Sequence, residues 1–272
     1  MIKDITFGQY FPGDSVVHKM DPRMKLILII VYIVMLFLAD GIIPLLLGVA
    51  VTVFAYALSK LSFKLVWRCV KPILPIVIFT AVLNIFFIEG DPIFQWKFIT
   101  VSQRGVVTAV LMCIRIISLI AGSSLLTYTT TPIALTDGLE RLLKPLEKIK
   151  VPVHELSMMM TIALRFIPTL IDETGKIIAA QKARGADMDS GNAIQKAKAL
   201  VPILIPLFVS AFRRADELAL AMECRCYRGG EGRTRLKQLS LSTRDWVAAA
   251  FMTAALAGVI LLNKFGPAVM VL

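Results

Sequence analysis

The chain is 272 residues long and 57% of it is hydrophobic, against roughly 45–50% in a soluble domain, with a mean hydropathy of +0.75. That excess cannot be hidden in one soluble core of this length, so the bilayer is its natural sink. The formal net charge is +11, but aromatic residues are not interleaved with the basic clusters, which argues against nucleic acid as a partner.

In chain order, residues 1–25 are mixed and polar and contain no signal-peptide pattern. Apolar runs follow at 26–39, 42–58, 72–88, 106–126 and 246–263. The first is only fourteen residues long, short of the roughly 20 that a perpendicular helix needs. Snorkelling of Arg23 and Lys25, or local thinning of the bilayer, can rescue so short a span. The sequence therefore predicts an all-α fold with about five membrane spans.

Charge sets the expected orientation. Lys3, Lys19, Arg23 and Lys25 precede the first run, and Lys60, Lys64, Arg68 and Lys71 lie between the second and third. Residues 89–105 carry only Lys97 and Arg104, and Asp40-Gly41 reads as a tight turn. The positive-inside bias then places the N-terminus and the segment 128–245 in the cytoplasm and the C-terminus outside the plasma membrane.

Segment 128–245 holds 18 of the 30 basic residues. Apolar residues recur there at helical spacing, as in Leu156, Met159, Met160, Ala163, Phe166, Ile167 and Leu170. With Pro145, Pro152 and Pro202 as punctuation and Gly191-Asn192 as a turn, the pattern predicts helices near 132–150, 153–184 and 203–226. Residues 1–128 are read as a transmembrane region, 129–240 as a coupling region, and 241–272 as a last transmembrane helix. Arg141 is expected on a solvated face, and Met158, Met159 and Met160 can serve as an adaptable docking face or as ordinary packing.

One internal repeat stands out. Ala180-Gln181-Lys182-Ala183-Arg184-Gly185 and Ala221-Met222-Glu223-Cys224-Arg225-Cys226 align 41 residues apart. In each, an arginine between two small residues ends a predicted helix. A basic residue there also suits the helix dipole, which is the plainer explanation. Two copies in one segment suggest a pair of prongs, because small neighbours allow close approach and Arg grips a carboxylate with two hydrogen bonds.

Together with Asp21-Pro22-Arg23-x-Lys25-Leu26 and Leu142-Leu143 before Pro145-Leu146, this repeat resembles the transmembrane T component of energy-coupling factor transporters, over about residues 5–262. Those are ATP-driven importers of vitamins and of nickel or cobalt ions. The resemblance implies a non-catalytic scaffold without cofactors. It implies as partners two ABC ATPase subunits forming a heterodimer and a substrate-binding membrane S component, either one exchanged among several in a shared vitamin module or one fixed in a dedicated nickel/cobalt permease. It also implies that Ala183, Arg184 and Gly185, and Cys224, Arg225 and Cys226, form the ATPase-coupling ends. Cys224 and Cys226 depart from the family's Ala and Gly, and Cys226 puts a glycine-dependent backbone there in doubt.

Other features decide between classes. No G-x-x-x-x-G-K-[ST] loop is present, so the usual route to nucleotide phosphates is absent. Cys69 and Cys113 read as buried thiols, the lone Cys224-x-Cys226 gives little support to zinc, and His18 and His154 are isolated. A self-contained secondary transporter would want polar residues in broken spans. Only Arg115, inside an apolar run, and Asn84, expected to bridge two helices, qualify. A membrane-embedded enzyme would want clustered carboxylates or histidines at membrane depth, and the sequence shows none.

Overall fold

The structure is a computed structural model. It describes residues 10–88, 92–96, 99–186, 193–229 and 239–265. They form nine α-helices: α1 (Pro22–Leu38), α2 (Ile42–Ser59), α3 (Phe63–Val70), α4 (Leu74–Phe87), α5 (Gln103–Thr129), α6 (Pro132–Leu143), α7 (Val153–Ala183), α8 (Ala193–Cys224) and α9 (Thr243–Phe265). Between α4 and α5 a short antiparallel hairpin pairs β1 (Pro92–Trp96) with β2 (Ile99–Ser102). The chain divides into two compact units, one built on Glu140–Lys237 and the other on Gly8–Leu139 with Gln238–Leu272.

The second unit holds the apolar runs. Four helical stretches, Ile42–Ser59, Lys64–Phe87, Gln103–Thr129 and Thr243–Lys264, are long and apolar enough to cross a membrane. α1, at 17 residues, rises about 25 Å against a hydrocarbon core of about 30 Å. Where it ends, Arg115 of α5 donates to the Ala39 carbonyl. The arginine in the apolar run thus has a backbone partner at the negative end of α1.

Tyr32, Met35, Leu36, Leu45, Val51 and Val259 form the core of this unit. Because lipid supplies no hydrogen bonds, polar atoms here must be satisfied internally. The Tyr32 hydroxyl donates to the Ser118 carbonyl at 2.9 Å and meets Thr52 Oγ1 at 2.5 Å. The Tyr56 hydroxyl donates to the Ala121 carbonyl at 2.9 Å. Tyr32 packs against Gly122, where a Cβ would meet its ring at 2.2 Å.

Asn84 does not bridge helices. Its amide donates to the Thr80 carbonyl one turn back, at 2.9 Å, which satisfies it without a neighbour. The α4–α5 contact rests instead on Gly105, where a Cβ would lie 2.9 Å from the Asn84 carbonyl oxygen. Cys69 and Cys113 are half-buried rather than buried, and Cys69 Sγ meets the Tyr128 hydroxyl at 2.7 Å.

The motif Asp21-Pro22-Arg23-x-Lys25 is a latch. Asp21 is the N-cap of α1, accepting from the Arg23 amide, with Pro22 in the first turn. The Arg23 guanidinium forks onto the Asp21 carboxylate at 3.2 and 3.0 Å and also reaches the Leu239 carbonyl at 3.0 Å. Lys25 donates to the Thr129 carbonyl at 2.9 Å and to Thr130 Oγ1 at 3.0 Å. The Asp21 amide donates to Asp245, which is 1% exposed, at 3.0 Å. Asp245 also accepts from the Ser242 amide at 2.8 Å, while its own amide donates to the Ser242 carbonyl. Asp245 at N3 thus reaches back to the Ser242 amide at the start of α9, which is one arm of a capping box.

In the other unit the sequence expectations need three corrections. α8 begins at Ala193, ten residues before the expected 203, and runs through Pro202 and Pro206. Each proline forfeits one backbone hydrogen bond. The apolar stretch from Leu200 to Val209 holds the helix across them, and the Pro202 carbonyl accepts from Gln181 Nε2 at 3.2 Å. After α6, residues 144–149 tighten into a 3-10 helix beginning at Lys144-Pro145, so the expected helix to 150 ends early. Arg141 is half-buried rather than solvated. The Gly191-Asn192 turn lies outside the described residues.

Candidate coupling ends

α7 and α8 run antiparallel. Gln181 meets Pro202, Glu173 meets Ser210 and Arg214, and Ile162 and Met222 line one apolar cavity of about 260 Å³. This register puts Arg184 level with Leu200. Arg225 lies 25 residues further along α8, or about 40 Å at the helical rise. The two motifs thus sit at opposite ends of one helix pair and are not brought together.

Each motif ends its helix with the same hydrogen-bond pattern. Ala183 and Cys224 are the last helical residues of α7 and α8. After Ala183, the Gly185 amide donates to the Lys182 carbonyl and the Ala186 amide to the Gln181 carbonyl, both at 3.0 Å. After Cys224, the Cys226 amide donates to the Glu223 carbonyl at 2.8 Å and the Tyr227 amide to the Met222 carbonyl at 3.0 Å. These are two Schellman caps, matched bond for bond at the 41-residue offset. Arg184 and Arg225 occupy the same position in each cap, and both are exposed.

Gly185 has φ +85° and Cys226 has φ +56°. The doubt about Cys226 is therefore corrected: the helix end reaches the left-handed region without glycine, because the two main-chain bonds of the cap hold it there. A Cβ in that region costs about 1–2 kcal/mol. Cys226→Gly should therefore raise stability by up to about 1 kcal/mol, after the extra unfolded-state entropy of glycine is deducted. Thermal unfolding in detergent measures this. A lowered melting temperature would contradict a left-handed Cys226.

Midway along the pair, Glu173 accepts from the Ser210 hydroxyl at 2.8 Å and forms an ion pair with Arg214. The Ser210 hydrogen bond, then the Arg214 guanidinium, hold its carboxyl below the usual range. A depressed carboxyl keeps the tie intact at neutral pH and releases it as pH falls through the lowered pKa. Sequence reasoning missed this tie, since the pair is 37 to 41 residues apart and neither member stands out in its own helix.

Beyond the tie, one side of α8 is apolar and open. Ile205 is 60% exposed, Phe208 59% and Phe212 68%, at spacings of three and four. Met159 of α7 is 54% exposed, whereas Met158 and Met160 are half-buried.

These features define a multi-pass helical membrane protein with a pair of helices that ends in two matched arginine caps. The chain belongs to the CbiQ family, described as cobalt transport protein, whose model matches residues 13–236, and within it to the transmembrane components of energy-coupling factor transporters. It is 59% identical over 251 residues to the energy-coupling factor transporter transmembrane protein EcfT of Clostridium kluyveri, covering 92% of this chain and 93% of that one. It is 55% identical over 266 residues to EcfT of Ruminiclostridium cellulolyticum, covering 97% and 98%. To EcfT of Lactococcus lactis subsp. cremoris it is 47% identical over 245 residues, covering 90% and 92%.

Proposed function

We propose that this chain is the non-catalytic scaffold of an ATP-driven micronutrient importer, gripping two ABC ATPase subunits, a heterodimer, through Arg184 and Arg225. The observation that carries the reading is the bond-for-bond match of two Schellman caps at opposite ends of the α7–α8 pair. One prong would suit a single partner; two equivalent prongs about 40 Å apart suit a partner that is itself paired. The coupling ends are then Ala183-Arg184-Gly185 and Cys224-Arg225-Cys226, with the small residues admitting the ATPase backbone close to each guanidinium.

When the ATPases close on ATP, the anchored helix ends move relative to each other, with the Glu173–Arg214 contact as the tie between them. The open apolar side of α8, around Ile205, Phe208 and Phe212, supports docking of a substrate-binding membrane subunit. That subunit holds the cargo, a vitamin or a nickel or cobalt ion. Coupling requires only that the scaffold's states differ in energy with the ATPase state.

Mass spectrometry of whatever copurifies with the chain from native membranes tests this. Two ATPases and one or more small membrane proteins are expected. Purification as a complete single-chain transporter would overturn the reading.

The basic residues of the loops support a cytoplasmic N-terminus and coupling region in the plasma membrane, with an external C-terminus. In a chain freed of native cysteines, an impermeant thiol reagent added outside should label a cysteine placed at 94 or 270 and spare one at 190. Strong labelling at 190 would reverse the orientation.

A further inference from the structure

Among α1, α2, α5 and α9, inside the unit that holds the apolar spans, lies an apolar cleft of about 480 Å³. α1 and α9 contribute their starts, residues 25–32 and 243–252, and α2 and α5 their ends, residues 51–58 and 122–129. The cleft is therefore confined to one side of the bilayer. From Lys25 to Tyr32 the helix rises about 10 Å, most of the roughly 15 Å of hydrocarbon in one leaflet.

Its walls ask for no polar ligand. The Tyr32 hydroxyl at the deep end is already committed to Thr52 and to the Ser118 carbonyl. The Lys25 ammonium at the shallow end is committed to Thr129 and Thr130. Leu28, Ala55, Leu125 and Ala248 supply apolar surface between them. The rings of Phe54 and Phe251, with centroids 5.2 Å apart, form a lip that is itself open, being 49% and 45% exposed. Arg244 stands exposed at the mouth, in the first turn of α9.

A cavity with such walls does not retain water, and at this depth the surrounding solvent is acyl chain. We propose that the cleft binds one acyl chain of an anionic phospholipid, drawn from the leaflet bordering the starts of α1 and α9, with its phosphate on Arg244. The cleft runs most of the depth of one leaflet, its wall is apolar and dry, and a positive charge stands at headgroup level. The lipid then completes packing between α2 and α9 where protein atoms leave a gap.

The test uses the full chain with its copurifying partners, placed in nanodiscs of equal phosphatidylglycerol and phosphatidylcholine and analysed by native mass spectrometry. Retained phosphatidylglycerol in excess of phosphatidylcholine is expected. Arg244→Glu should lower that excess roughly tenfold, the effect of reversing one charge beside an anionic headgroup. Ala55→Phe or Ala248→Phe, which fill the cleft, should remove the retained lipid.

Because a filled cleft can also impair folding, a benzophenone amino acid at Val247, 63% exposed near the lip, gives a second reading. Light should attach a lipid mass to it. Unchanged lipid retention in well-folded filled variants, or a cross-link from position 247 to a partner protein, would overturn the proposal.

Discussion

Reversing both cap arginines, Arg184→Glu with Arg225→Glu, should abolish uptake while the chain still inserts in the membrane. The Schellman bonds are all main-chain, so the helix ends survive loss of the side chains. A Glu near a helix C-terminus costs only about 0.3–1 kcal/mol from the dipole. If each guanidinium pairs with a carboxylate in a partly desolvated ATPase groove, breaking that pair costs about 2–5 kcal/mol. Each 1.4 kcal/mol is about tenfold in affinity, so two lost prongs leave no stable complex. One reversal should weaken assembly, and Arg→Lys should fall between, since Lys keeps the charge without the planar fork. Lys148, exposed in the 3-10 helix after α6, is the control, where reversal should have little effect. Vesicle uptake and pull-down of the ATPases measure both outcomes. Intact assembly and uptake in the double variant would reduce the arginines to helix caps.

The second large effect concerns folding. Asp245→Ala should destabilise the chain by about 2–5 kcal/mol, because it strands the buried Asp21 amide at about 1–3 kcal/mol and leaves the exposed Ser242 amide to water. It also removes the N-terminal cap of α9. Asp245→Asn keeps one acceptor oxygen and should lose less. The readout is the yield of folded chain and its melting temperature in detergent, where Asp245→Ala should fall well below the parent. An unchanged melting temperature would show that the latch between α1 and α9 contributes nothing.

The latch also shows what the sequence could and could not convey. The apolar runs were legible because a bilayer requires long uninterrupted hydrophobic helices. The A-R-G triplet was legible as a helix end because glycine there has a local backbone meaning. Asp21-Pro22-Arg23-x-Lys25 was legible only as a resemblance, since its partner Asp245 lies 224 residues away. The N-cap at Asp21 and the return of Asp245 to the Ser242 amide are both within reach of local rules.

The start of α8 was misread because Pro202 breaks helices locally, whereas packing along a 32-residue helix overrides one or two lost bonds. Arg115 and Asn84 looked alike as polar residues among apolar ones. The structure separates them, one bonding the end of α1 and the other its own helix. The left-handed Cys226 was out of reach, because nothing in a cysteine announces φ above zero.

The central claim, that ATP moves the two caps relative to one another, is tested most directly by a distance. Ala180→Cys and Ala221→Cys, exposed positions four residues before each arginine, take spin labels in a chain whose native cysteines are replaced. Pulsed electron resonance on the assembled transporter then compares the nucleotide-free and ATP-bound states. The expected result is a separation that shifts on ATP binding and returns after hydrolysis. Superimposable distance distributions in the two states, in a transporter that still takes up its cargo, would contradict it.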